Sequence, residues 1–166
     1  MPFKLATRDH VIYLAWHGFV PDELRDAALR VTEHKRACGR NVVYVAGTPG
    51  GGGLLSDEQS ASLLEFLLAI LPACAALHHI IAGDGFIKSA RRAMLTNLAN
   101  ATPRARDFHA HETLDAAAVA VRTLYGVDLR ELVGDSPPLA PMEPERASGA
   151  FRAASRIFEG RRSRKE

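Results

Sequence analysis

The stretch Val42-Val43-Tyr44-Val45-Ala46-Gly47-Thr48-Pro49 decides the fold. Its first five residues are apolar without alternation and rich in β-branched side chains, the pattern of a strand buried on both faces. A central strand of a mostly parallel sheet is the expectation. Four glycines, Gly50, Gly51, Gly52 and Gly53, break the run. Ser56 then stands three residues before Gln59, a capping-box spacing that opens a helix over residues 57–71, ahead of Pro72. Strand, glycine loop and helix N-terminus together form the unit on which many α/β sites are built.

Working outward, Phe3, Leu5 and Thr7 alternate with Lys4, Ala6 and Arg8, and residues 11–16 are continuously apolar. Two strands joined at Arg8-Asp9-His10 should pair as an antiparallel hairpin. Pro21-Asp22-Glu23 places proline and acids in a first helical turn, and Gly39 supplies the stop. Residues 77–82 read as a further strand, Gly83-Asp84-Gly85 as a turn, and Ile87, Ala90 or Arg91, Met94, Leu98 and Ala101 as the inner stripe of a helix. Residues 106–111 suggest a fifth strand. Thr113 caps a helix with Leu114, Ala117, Val121 and Leu124 inward, Gly126 ends it, and residues 127–133 add a short helical turn. Lys88, Arg91 and Arg92 oppose the helix dipole at the start of their helix, which hints at a nearby anion or acidic partner.

The expected architecture is therefore α/β: a mixed five-stranded sheet with an antiparallel N-terminal hairpin followed by parallel βα units. Residues 1–134 make this domain. Residues 135–146 hold Pro137, Pro138, Pro141 and Pro144 and read as a proline-rich linker. Residues 147–166 form a basic tail, amphipathic or disordered, with Phe151, Ile157 and Phe158 at helical spacing among arginines. A chain 47% hydrophobic and 24% charged has room for a full core, and a net charge of +2 is too small to argue for nucleic acid. Contact of the tail with nucleic acid or an anionic membrane is a secondary possibility. No apolar run approaches the ~20 residues that span a bilayer, and no leader precedes Phe3, so a cytoplasmic location is expected.

The second helix draws attention because Leu63, Leu64, Phe66, Leu67, Leu68, Ile70 and Leu71 point nearly all round it. Such a helix must be covered on more than one side. Leu63, Phe66, Leu67 and Ile70 are expected to supply an association patch, covered by a second copy across a two-fold axis or by the tail through Phe151, Ile157 and Phe158. The homodimer is the favoured cover.

Chemistry is harder to find. The glycine tract invites an anion-binding reading, but Leu54-Leu55-Ser56 supplies no Walker lysine. Ser56 lies in no G-x-S-x-G elbow. His109 and His111 share a strand face with Asp107, next to His78 and His79, yet the sequence places no converging third zinc ligand. Cys38 and Cys74 show no metal spacing and read as buried thiols in helical segments. No cofactor, metal or catalytic residue is expected.

The element order, the strand ending at Ala46 before a helix that begins at Ser56, and Phe108 ahead of Thr113-Leu114-Asp115-Ala116 resemble the STAS fold of bacterial anti-sigma-factor antagonists. The resemblance spans about residues 3–125. It implies a non-enzymatic regulatory or scaffolding domain in bacterial signalling, acting on a protein partner. It also implies a phosphorylatable serine at the start of the second helix, matched here by Ser56 and less well by Ser60. The pattern present is Leu55-Ser56-Asp57-Glu58 where the family has Asp-Ser-Ser-Gly, and the residues by themselves read Ser56 as a helix cap. The alternative is a small-molecule, anion-binding or enzyme domain using the loop 47–56.

Overall fold

The computed structural model describes residues 3–16, 21–48, 54–81 and 85–134. The glycine tract Gly50 to Gly53, the linker and the tail with Phe151, Ile157 and Phe158 lie outside them. Five strands form one mixed sheet: β1 (Phe3–Arg8), β2 (Val11–Trp16), β3 (Val42–Thr48), β4 (Cys74–Ile81) and β5 (Phe108–His111). They lie side by side in chain order. β1 and β2 are antiparallel, and all later pairs are parallel. The expected α/β class and mixed five-stranded sheet are both present.

Local chemistry explains the boundaries. The hairpin turns at Asp9, whose φ of 51° is left-handed and suits an aspartate better than a branched residue. Helix α1 (Pro21–Cys38) carries Asp22 and Glu23 in its first turn and Lys35 and Arg36 in its last, matching its dipole. It stops at Gly39, with φ of 72°. Helix α2 (Asp57–Ile70) has the expected capping box: the Ser56 hydroxyl accepts from the Gln59 backbone, and the Gln59 side chain accepts from the Ser56 N–H. After α3 (Gly85–Asn100), α4 (Leu114–Tyr125) is capped by Thr113 and closed by left-handed Gly126. A short α5 (Leu129–Gly134) follows.

Crossovers between parallel strands that all step in one direction place their helices on one face. Accordingly α1, α2 and α3 share a core with Ile12, Leu14, Trp16, Val42, Tyr44 and Leu77. Helices α4 and α5 cover Val11, Tyr13, Val43, Val45 and Ile80 on the other face. The central strand is buried on both sides from Val42 to Gly47, as its composition requires. A Cβ on Gly47 would sit 2.6 Å from the Tyr13 hydroxyl, so glycine lets the tyrosine ring lie across β3.

Three expectations need correction. Leu63, Phe66, Leu67 and Ile70 are core residues, each 4% exposed or less, and make no outward patch. The missing cover is α1 on one flank and Met94 and Leu95 of α3 on the other, so α2 is roofed by its own neighbours. Each buried large side chain of this kind stabilises the fold by about 1.5–3 kcal/mol. The apolar surface invoked for a homodimer is thus consumed internally. Secondly, Cys74 opens β4 and is not helical, because Leu71–Ala73 make a 3-10 turn that delivers the chain to the sheet early. Thirdly, Arg106 and Asp107 belong to a second 3-10 turn, and Leu124 of α4 faces solvent.

Candidate functional site

In an open parallel sheet, the carboxyl ends of the strands are where ligands and partners bind, because helix N-termini and loops converge there. Here β3 runs into the segment before α2, and β4 into the segment before α3. The two helix starts therefore share one edge of the sheet. Ser60 in the first turn of α2 points its hydroxyl at Met94 Sδ of α3, 3.9 Å away, which fixes the helices as neighbours.

Ser56 is exposed at this edge, with Asp57 and Glu58 exposed beside it. Its hydroxyl is committed to the helix cap, and the sequence reading of Ser56 as a cap matches its geometry. The same edge displays large apolar side chains: Phe86 is 79% exposed, Leu54 49% and Ile87 38%. Sequence reasoning assigned Ile87 to the inner stripe and passed over Phe86. Arg91 and Leu98 are buried and Met94 packs against the core, as the predicted stripe has it, whereas its two ends, Ile87 and Ala101, are exposed. The signal was Phe86 beside Gly85, a position too early in the helix to reach the sheet.

The basic start of α3 has its anion within the fold. Lys88 Nζ stands 3.5 Å and Arg92 Nη1 3.1 Å from the carboxylate of Glu112, just after β5. Glu112 is exposed, so these pairs contribute little to stability, though they tie α3 to the end of β5.

A second constellation lies between β4 and β5. His78 is fully buried on the α4 face, in register with His109. Its ring stacks on His109 with centroids 4.7 Å apart and lies parallel to His111 at 5.1 Å. Its Nδ1 is 2.8 Å from His111 Nε2. Tyr125 of α4 meets the His78 ring edge-on and touches His10 from the β1–β2 turn in the same way. On the opposite face His79 packs between Tyr44 and Phe108. Burial, then the neighbouring imidazoles, holds His78 down to about 3; burial holds His79 down to about 4 and lowers His111. His78, His79 and His111 are therefore neutral at physiological pH.

The histidines do not assemble a zinc site. Among the described residues no group of three or more His, Cys, Asp or Glu is arranged to hold a metal ion. The nitrogens that come closest, His78 Nδ1 and His111 Nε2, are already hydrogen-bonded to each other. Asp107, expected beside them, is taken by Arg104 and Arg106. Cys74 is buried and its thiol is pushed up to about 12, chiefly by burial, so it is inert. Among the described residues no helix is long and apolar enough to cross a membrane.

Comparison with family models, with curated proteins and with solved structures finds no match to this chain.

Proposed function

We propose that the chain is a STAS-like regulatory or scaffolding domain that works by contact with another protein and carries out no reaction of its own. The observation that carries this reading is the apolar display of Leu54, Phe86 and Ile87 around the starts of α2 and α3. A solvent-facing phenylalanine at the edge where α/β folds bind is an anchor suited to a partner's pocket, since aromatic side chains dominate the energetics of interfaces. Element order supports the resemblance: a hairpin, then βα units in sequence, with a capped serine opening the second helix. Exposed Asp57 and Glu58 favour a partner with basic groups near its apolar contact.

Affinity capture from the native cell with the full chain and with Phe86→Glu tests the reading. A protein retained by the wild type and lost with the variant, at unchanged melting temperature, is the expected outcome. Identical capture by both would overturn the assignment of this edge. Reproducible stabilisation by nucleotides or acyl compounds would favour a small-molecule role instead.

A further inference from the structure

β5 is the shortest strand and occupies one edge of the sheet. Four register pairs, from Leu77–Phe108 to Ile80–His111, hold it to β4. Three of the side chains in that seam are imidazoles that touch one another: His78 from β4, with His109 and His111 from β5. From α4, Tyr125 faces His78, with His10 of the β1–β2 turn on the far side of the tyrosine. His79 is adjacent along β4 but lies on the other face of the sheet. Carboxylates stand at both ends of β5: Asp107 before it is engaged by Arg104 and Arg106, Glu112 after it by Lys88 and Arg92, and on the outside of α4 Arg122 faces Asp128.

A nitrogen–nitrogen contact of 2.8 Å requires one proton between the rings, so one imidazole donates and the other accepts. One further proton fills the outer nitrogens of both rings, so even with half-buried His111 as the donor, His78 must then carry a proton on Nε2. A second leaves no acceptor between the two rings and sets like charges together beside His109. The other nitrogen of His78, Nε2, is buried and without a hydrogen-bond partner among the described groups, so a proton there has nowhere to point. Opening the seam would give both protons water to bind.

We infer that the β4–β5 seam is an acid-operated latch, closed while its histidines are neutral and released by proton uptake below about pH 6, freeing β5 and α4 from β4. The depressed basicity of His78 and His111 agrees with this, because it measures how strongly the closed seam refuses protons. Each histidine that gains its proton only in the open form raises the open population about tenfold per pH unit below about 6.5. Two such groups give about a hundredfold. Release bares the N–H and C=O groups of β4, an edge competent to pair with another strand.

Amide hydrogen exchange of the full chain at pH 7.5 and pH 5, corrected for intrinsic rates, tests the latch. The expected result is that β5 and α4 lose at least tenfold more protection at pH 5 than β2 and β3 do. His111→Gln keeps a hydrogen-bond acceptor for His78 but takes no proton, and should shrink that difference. Equal losses across the sheet would overturn the latch, and so would an undiminished difference in His111→Gln. Should that variant not fold, NMR titration of the wild-type histidine rings decides: His78 and His111 titrating independently near 6.5 in a still-protected seam is incompatible with the proposal.

Discussion

The indole N–H of Trp16 donates to the hydroxyl of Tyr44 at 3.0 Å, linking β2 to β3 inside the core. Both rings pack edge-on against Phe66 of α2, so one polar contact sits within an aromatic cluster. Burial pushes the Tyr44 hydroxyl well above its ordinary range, and it stays protonated at any working pH. Removing it in Tyr44→Phe takes this acceptor from a buried donor and should cost about 1–3 kcal/mol. Urea unfolding followed by the single tryptophan reads the change directly.

Arg104 reaches back under the sheet. Its guanidinium donates to the carbonyls of Leu71 at 2.9 Å, Cys74 at 2.8 Å and Ala75 at 3.2 Å, and pairs with Asp107. It thus satisfies carbonyls left over where α2 gives way to β4. Arg104→Ala should destabilise the fold by about 2–3 kcal/mol, and Arg104→Lys should recover less than half, because one ammonium cannot span three carbonyls. Thermal and urea denaturation of the pair of variants provides the check.

Ser56 separates a structural from a regulatory role. Its loss in Ser56→Ala should cost about 0.5–2 kcal/mol, whereas Ser56→Asp, another good cap, should fold with near wild-type stability. Calorimetry gives both values. A partner lost with Ser56→Asp alone, at unchanged stability, would assign the serine a switching function.

His79 makes stability depend on pH. In the unfolded chain its imidazole titrates near 6.5, and in the fold only near 4. Between those values the unfolded state binds the extra proton, so stability rises with pH and is lost on acidification. By pH 5 the loss from this one ring should be about 2 kcal/mol, and none should occur above about pH 7. His79→Phe, placed between Tyr44 and Phe108, should flatten the profile of denaturation midpoint against pH.

Much of this fold was legible because its signals are local. The β-branched run 42–46, the Ser56–Gln59 spacing, Gly39 and Gly126 each specify their conformation through their own covalent structure. The misreadings concern what lies across space. Leu63, Phe66, Leu67 and Ile70 looked like an excess of apolar surface because nothing local says that α2 is the middle helix of three. Lys88 and Arg92 looked unpaired because Glu112 is 20 or more residues away in the chain. The histidines were placed on adjoining strands correctly, but ring stacking depends on register, and a one-residue slip would have put them on opposite faces. Phe86 escaped notice because one exposed aromatic leaves no periodic trace.

The chain-order arrangement of the strands has a consequence for biosynthesis. Every strand pairs with the strand made just before or after it, so the sheet can grow by accretion as the polypeptide leaves the ribosome, with no partner awaited from far downstream. The exception is α5, where Glu131 meets Arg8 of the first strand. That clasp can form only once α5 has been synthesised, so the first strand receives its last described contact late in translation.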